Sequence, residues 1–371
     1  MRTPKSIVQN LLNLADITLN GSRAWDLQVH NDRLFSRLLR EGSLGLGEAY
    51  MDGWWDAQEL DEFLTRLLHA ELEKKVRGDW RTLIWIIGQR IINRQKKKAA
   101  PHIGEHHYDI GNDLYSAMLD RRKVYSCGYW RSAPNLDEAQ EAKLDLVCRK
   151  LRLQPEQNIL DIGCGWGSFA KFAAEKYRVS VVGVTVSKEQ IALGRELCAG
   201  LPVKLQFKDY RDIEGKYDHI VSLGMFEHVG YKNYRTFMQL VYNHLQDGGL
   251  FLLHTIGQND SQKTTDPWFG KYIFPNSLIP SAVQISKAME KLFVIEDWHN
   301  FGMDYIKTLM AWFKNFEDNW ETLRPKYGER FYRMWKYYLL ASAASFSARK
   351  NHLWQIVLSK GGLAGGYESV R

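Results

Sequence analysis

Ile159-Leu160-Asp161-Ile162-Gly163-Cys164-Gly165-Trp166-Gly167-Ser168 decides the fold. It reads as the end of a buried strand, a glycine loop and the first turn of a helix that continues through Phe169, Phe172 and Ala173 to Glu175. Three glycines within five residues let the backbone turn without Cβ clashes and come close to a ligand, while the helix start presents unpaired N–H groups. The order D-x-G-x-G-x-G departs by one residue from the dinucleotide fingerprint G-x-G-x-x-G and sets Asp161 before the first glycine. In a dinucleotide site that acid would meet a pyrophosphate. A ligand with an amino group and no phosphate suits it better, which favours S-adenosylmethionine over NAD. The plain alternative is a strand-to-helix turn that needs glycine for its geometry alone.

Outward from this loop, strands and helices alternate. Strands are expected at residues 158–162, 179–185, 203–208, 217–223 and 249–256, and helices at 136–151, 168–177, 188–198 and 231–245. Strands separated by helices of about ten residues require parallel pairing with crossover helices. The fold class is therefore α/β: a doubly wound sheet with its ligand at the strand C-termini. Residues 290–298 and 354–359 supply two last strands, with aromatic-rich helices near 305–320 and 327–346.

The amino-terminal part has a different pattern. Ile7, Val8, Leu11, Leu12 and Ala15 recur at helical spacing. Segments at 17–19, 25–30 and 34–40 read as short strands and turns, and 44–56, with three glycines and the pair Trp54-Trp55, as either a turn-rich packing core or an exposed aromatic patch. Residues 59–76 form an amphipathic stripe through Leu60, Phe63, Leu64, Leu67, Leu68 and Leu72. Residues 80–92 are strongly apolar and run into Arg94-Gln95-Lys96-Lys97-Lys98, as in a helix that touches an anionic membrane or in a core helix ending in a solvated linker. The expected division is an amino-terminal lipid-engaging domain at 1–95, a linker at 96–105 and a catalytic domain at 106–371.

The totals narrow the classes. A chain of 371 residues, 45% hydrophobic, has no apolar run near the roughly 20 residues of a membrane span. Its net charge of +7 admits nucleic acid or anionic lipid as a partner, and thirteen tryptophans favour a lipid boundary. Cys127, Cys148, Cys164 and Cys198 form no C-x-x-C and no apolar leader follows Met1, which points to a reduced, cytoplasmic protein. His102-Ile103-Gly104-Glu105-His106 matches H-x-x-E-H, but Pro101 and Gly104 break the helix such a zinc site needs, so no metal is expected.

Several residues could carry chemistry at the sheet's C-terminal edge. Thr185, Ser187 and Gln190 follow the second strand and can hydrogen-bond a ribose, or simply cap a helix. Asp209 and Tyr210 follow the third, offering an acceptor for an adenine amino group and a face to pack on it. Glu227 and His228 follow the fourth and His254 lies on the fifth, as candidates for a general base or for orienting an anion. Tyr125-Ser126-Cys127-Gly128-Tyr129-Trp130 adds hydroxyls and a thiol, although a lone cysteine is usually a small buried hydrophobe.

These segments together resemble the bacterial cyclopropane-fatty-acyl-phospholipid synthase family, which is similar to the mycolic acid cyclopropane synthases. The likeness is carried by residues 44–55, 107–112, 125–130, 160–167, 226–230, 271–275 and 353–355, in the family's order. It implies a class I methyltransferase sheet with a smaller, mainly helical lipid-binding domain, and methylene transfer from S-adenosylmethionine to the cis double bond of a phospholipid acyl chain. It further implies bound bicarbonate as the base, at Cys127, Glu227, His254, Ile256 and Tyr305, with backbone groups contributing at Cys127 and Ile256. For the cofactor it points to Tyr125, Ser126, the loop Gly163 to Gly167 including Cys164 and Gly165, Thr185, Ser187, Gln190 and Asp209. A homodimer at the inner face of the membrane is the assembly it suggests. Where some relatives carry a late cysteine, this chain has Ser342, so no late thiol is required.

A nucleic-acid methyltransferase would want basic residues mixed with stacking aromatics along a groove, whereas the run at Lys96 to Lys98 abuts an apolar stretch. A non-catalytic binding protein would have no need to retain Glu227, His254 and Tyr305 together.

Overall fold

The computed structural model describes residues 3–72 and 110–371, which form two compact units. The apolar run at 80–92, the cationic run at 94–98, the linker at 96–105, the H-x-x-E-H stretch and His107 to Asp109 lie outside the described residues.

The first unit combines the described residues of Met1–Gly111 with Asp266–Pro275 and Trp312–Lys350. Two segments from the carboxyl-terminal half thus belong with the amino-terminal one, so the units interleave along the chain where the sequence suggested contiguous domains. Helices Pro4–Asn13, Arg33–Glu41, Ser43–Met51, Leu60–His69, Pro267–Tyr272 and Trp320–Ser347 make it up, with a two-residue antiparallel ribbon of β1 (Gln28–Val29) and β2 (Trp55–Asp56). The last helix is interrupted at Gly328, where φ is 73°.

Residues 34–40, expected as strand and turn, are helical, and so are 44–51. Leu34, Phe35 and Leu39 are buried along one face, a helical spacing hidden by the intervening arginines. In Ser43–Met51 the glycines serve close packing: a Cβ on Gly47 would fall 2.4 Å from the Trp268 ring. Trp55 is fully buried and donates its Nε1–H to the Leu46 carbonyl at 3.0 Å, so this stretch is packing core.

The second unit, Asn112–Thr265, Asn276–Ala311 and Asn351–Arg371, holds a seven-stranded sheet. Its strands are β3 (Asn158–Ile162), β4 (Ser180–Thr185), β5 (Val203–Phe207), β6 (Tyr217–Leu223), β7 (Leu245–Gln258), β8 (Val294–Asn300) and β9 (Asn351–Ser359), in the order β5-β4-β3-β6-β7-β9-β8. The first five pair in parallel, while β9 inserts antiparallel between β7 and β8. Strand order reverses beside β3, which places the crevice of a doubly wound sheet at the glycine loop.

Alternate residues of the central strands feed two apolar layers, as helices on both faces require. Ile159, Val181 and Val221 pack with Leu144, Val147, Phe169 and Phe172 on one side. Leu160, Val184 and Ile220 pack with Phe226, Phe237, Met238 and Ile285 on the other. The sheet and its two cores therefore hold the β3, β6 and β7 ends as a rigid frame.

Candidate active site

The loop after β3 is pinned to its neighbour strand before it turns. Gly163 and Cys164 donate their N–H groups to the Val184 carbonyl at 2.9 and 3.1 Å, and Gly167 donates to Cys164 at 2.8 Å. Gly163, Gly165 and Gly167 all have positive φ. A Cβ on Gly163 would lie 2.6 Å from that of Met225, whereas one on Gly165 would meet nothing within 4 Å, so the middle of the loop faces open space. The Ser168–Tyr177 helix starts at Gly167 without a side-chain cap, leaving its first N–H groups without that partner. Tyr125 and Trp166 both pack on Tyr115, each with ring centroids 5.1 Å apart, so three aromatic rings stand together at the loop.

Asp161 is buried, and that burial pushes its carboxyl up to about 7, opposed by the Lys143 charge. Thr185, Ser187 and Gln190 are knitted to one another: Ser187 Oγ caps the next helix at Gln190 N (3.4 Å), and Ser187 N donates to Thr185 Oγ1 (3.3 Å). Asp209 is paired within the protein. Both its oxygens accept from the Arg211 guanidinium, at 2.8 and 2.7 Å, and this pairing holds its carboxyl below the usual range. An adenine amino group would have to share Asp209 with Arg211. Tyr210 packs edge-on against Phe237 at 5.4 Å.

The second constellation gathers where β6 and β7 end. Glu227, in a 3-10 turn after β6, is buried, and its Oε1 accepts from the Ile256 N–H on β7 at 2.7 Å. Burial raises its pKa, against the lowering pull of the Ile256 N–H. His254, paired with Leu223 in the ladder, is 1% exposed. Burial, reinforced by Lys143 and Lys150, holds its pKa far down and the ring neutral. Gln355 Nε2 lies 3.3 Å from His254 Nδ1, which makes Nδ1 the acceptor and leaves the proton on Nε2.

Among the described residues neither Glu227 Oε2 nor His254 Nε2, both buried, has a hydrogen-bond partner. Leaving such an atom unsatisfied costs about 1–3 kcal/mol, so two together in a well-packed frame mark a place built for a small polar ligand. His254 Nε2 presents a proton and Glu227 Oε2 can share one, so the pair suits an acceptor-rich anion.

Cys127 and Tyr305 are brought to the same region by the segment 126–130 and the Met303–Asp318 helix. Gly128 N donates to Thr308 Oγ1 at 3.0 Å and Trp130 N to Asp304 Oδ2 at 2.8 Å, so the first turns of that helix hold the segment. Tyr305 lies between those two anchors, and Phe301 meets the His254 ring edge-on at 6.0 Å. Cys127 is fully buried, donates to the Gly128 carbonyl at 3.1 Å, and has its thiol pushed well up by burial. That is the environment of an inert thiol, as a small buried hydrophobe should have. The N–H of Ile256 is spent on Glu227, so Ile256 bears on the site through that carboxyl.

Sequence reading missed Gln140, Lys143 and Gln355. Each is polar, fully buried and aimed at a residue already singled out: Gln140 Nε2 donates to the Ser126 carbonyl at 2.7 Å and Lys143 Nζ to Ser126 Oγ at 2.7 Å. Polar residues recurring on the apolar stripe of residues 136–151 were the available signal.

A sheet of this order with a glycine loop after β3 and its site at the strand ends defines an S-adenosylmethionine-dependent methyltransferase fold. The sequence profile of the family described as mycolic acid cyclopropane synthetase matches residues 94–356, and the chain belongs to that family. It is 51% identical to the cyclopropane-fatty-acyl-phospholipid synthase of Escherichia coli K12, over 96% of this chain and 93% of that one. It is similar to the solved cyclopropane synthase MmaA2 of Mycobacterium tuberculosis, with 29% identity, TM-score 0.65, and coverage of 69% of this chain and 96% of the other. It is also similar to the mycolic acid cyclopropane synthase CmaA1 complexed with SAH and CTAB, with 30% identity, TM-score 0.64, and coverage of 71% and 100%.

Proposed function

We propose that this enzyme transfers a methylene group from S-adenosylmethionine to the cis double bond of an unsaturated phospholipid acyl chain, closing a cyclopropane ring. What carries the reading is the pair of partnerless buried atoms, Glu227 Oε2 and His254 Nε2, in a chain 51% identical to a cyclopropane-fatty-acyl-phospholipid synthase.

An alkene is a weak nucleophile and needs a strongly electrophilic methyl held in line with it, so much of the protein's work is orientation. The glycine loop with Asp161, Cys164, Tyr125 and Ser126 would hold the methionine end of the co-substrate, and Thr185, Ser187, Gln190, Asp209 and Tyr210 the adenosine end. Attack of the alkene π electrons on the sulfonium methyl forms a carbon–carbon bond while the S–CH₃ bond breaks, its electron pair staying on sulfur as S-adenosylhomocysteine is released, and leaves a carbocation on the acyl chain. Loss of one proton from the new methyl group frees the pair that closes the ring. Bicarbonate, if held by Glu227, His254, Tyr305 and the Cys127 backbone, would supply the base for that proton. Glu227, its pKa raised by burial, would meet the anion at Oε2 with a proton shared between them, and His254 would donate from Nε2, with Tyr305 and the Cys127 backbone completing the cradle. Ile256 keeps Glu227 turned toward it.

The lipid arrives from a membrane surface. A net charge of +7 supports an anionic one, and no described helix is long and apolar enough to cross a bilayer. The amino-terminal unit would collect the lipid and the enzyme would work as a homodimer from the cytoplasmic face, as the family resemblance implies.

The test is incubation with methyl-labelled co-substrate and vesicles of mono-unsaturated phospholipid, with and without bicarbonate. Acyl chains should gain one CH₂ and lose the alkene, and turnover should fall in carbonate-depleted buffer and recover on adding bicarbonate. Retention of the double bond beside a new methyl branch would replace ring closure with simple methylation. Turnover indifferent to bicarbonate would remove the anion from the mechanism.

A further inference from the structure

Lys143 lies in the middle of the Leu136–Lys150 helix with 0% exposure. A buried ammonium ordinarily pairs with a carboxylate, because desolvation alone costs several kcal/mol. Among the described residues Lys143 has no such ion pair, and its hydrogen bond is to the hydroxyl of Ser126, at 2.7 Å. Gln140, one turn earlier on the same face, holds the Ser126 carbonyl at 2.7 Å. Ser126 is thus fixed from behind at both backbone and side chain. It stands opposite Gly224 just after β6, where an added Cβ would come within 3.9 Å of that of Ser126.

A serine hydroxyl has one proton and two lone pairs. Lys143 can only donate, so it occupies a lone pair and leaves the Ser126 proton to be presented elsewhere. The charge behind that hydroxyl strengthens it as a donor, and strengthens it most toward an anion. The co-substrate's amino-acid end is a zwitterion, and Asp161 beside the glycine loop suits its ammonium. Lys143 supplies the opposite sign for its carboxylate.

We propose that Lys143 is a positioning residue for the co-substrate: through Ser126 Oγ it directs a polarised hydroxyl proton at the carboxylate of S-adenosylmethionine. This rests on the reading of Ser126 as a cofactor residue. Charged or titratable groups facing Lys143 are Asp120 from the preceding loop, Cys127 from the 126–130 segment, Asp161 from β3 and His254 from β7. Burial holds the Lys143 pKa down to about 8, with Asp120 and Asp161 opposing, so the group is a cation at neutral pH.

Two ligands separate recognition from folding: S-adenosylhomocysteine, which carries the amino-acid moiety, and 5′-methylthioadenosine, which lacks it. Lys143→Met should weaken S-adenosylhomocysteine by about tenfold or more and change 5′-methylthioadenosine by less than about twofold. Ser126→Ala should do the same, and the double variant should bind no worse than the weaker single one. Equal weakening of both ligands by Lys143→Met means a structural role and overturns the proposal. So does loss in Ser126→Ala with none in Lys143→Met. If Ser126→Ala leaves both ligands unaffected, the assignment of Ser126 itself falls and takes the inference with it. Should Lys143→Met not fold, the wild type still decides. Its S-adenosylhomocysteine affinity should drop as pH rises through about 8, a step absent from Ser126→Ala and from 5′-methylthioadenosine. An affinity without that step overturns the proposal.

Discussion

Lys143 and Lys150 lie seven residues apart on one helix, both fully buried and both with pKa values held down to about 8 by burial, yet their surroundings differ in kind. Lys150 Nζ sits 3.4 Å from the Asp297 carboxylate and 3.1 Å from His299 Nδ1, and Asp297 also accepts from Arg371 (2.6 and 2.7 Å) and Ser369 (2.9 Å). Its charge is answered within the protein. Lys143 has a hydroxyl, its charge reaches the His254 ring, and among the described residues His254 Nε2, Gln140 Oε1, Gln355 Oε1 and Glu227 Oε2 are buried with no partner. Burial is the same at the middle of the helix and at its last residue, and only the completeness of the polar network differs. Where the fold answers every charge it is making structure, and where it leaves donors open it awaits a ligand.

The sharpest way to break this comparison is to remove Asp297. Asp297→Ala leaves Lys150 buried against an imidazole and a like-charged Arg371, a loss of roughly 3–5 kcal/mol of stability by the usual cost of a broken buried pair. Denaturant unfolding should show that loss, while S-adenosylhomocysteine affinity below the transition stays near wild type. An unchanged midpoint would mean that the Lys150 network is not structural.

Glu227→Gln strikes the open network instead. It keeps the shape and, with its amide oxygen, the contact with Ile256, but puts at the orphan atom an amide N–H that cannot share its proton with an anion. Turnover should fall by about 100-fold or more, with co-substrate affinity changed less than about twofold. Parallel loss of both would place Glu227 in the cofactor site rather than at an anion.

Gln355 gives a finer version of the same contrast, because it acts through an imidazole. Gln355→Leu removes the partner of His254 Nδ1 and should lower kcat by about tenfold without changing the co-substrate KM. Gln355→Glu should be worse, since a carboxylate fixes the ring proton on Nδ1 and turns Nε2 into an acceptor facing an anion. Greater activity in Gln355→Glu than in Gln355→Leu would reverse the tautomer assigned here.

The open network was harder to read from sequence than the loop it serves. Asp161 and Gly163 to Gly167 were legible because backbone chemistry demands those residue types at that spacing, and the strand-helix alternation followed from apolar runs such as β4 and β6. Glu227, His254 and Tyr305 came from family resemblance; spacing alone offered only a carboxylate and imidazoles near one sheet edge. Lys143 and Gln140 were passed over because lysine and glutamine in a charged helical segment usually face solvent. Here the helix is buried on more than one face, a fact of tertiary packing that no local pattern states. The same limit explains residues 44–51, where glycines looked like turn residues until Trp268, more than 200 residues away in sequence, occupied the space they leave.

The smallest effect belongs to pH, where the two lysines should behave alike. Both fold-state pKa values, about 8, lie below the ordinary lysine value of 10.5, so between those limits the unfolded chain binds protons that the native one has released. Stability contributed by either group is therefore diminished below pH 8 and recovers as pH rises from 8 toward 10.5, by up to about 1.4 kcal/mol per pH unit for each proton. Tyr177 and Tyr234 above pH 10, and the buried thiols of Cys127, Cys148, Cys164 and Cys198 from about pH 8.5, are all pushed upward by burial and work in the opposite sense, so the lysines are read from the change in slope on adding ligand between pH 8 and 10 rather than from the slope itself. Saturating S-adenosylhomocysteine should separate the pair. A ligand carboxylate held through Ser126 favours the Lys143 cation and delays its release, so the slope in that window should fall by about one proton's worth, while the Lys150 share stays. A slope unaltered by ligand would make the two lysines equivalent after all.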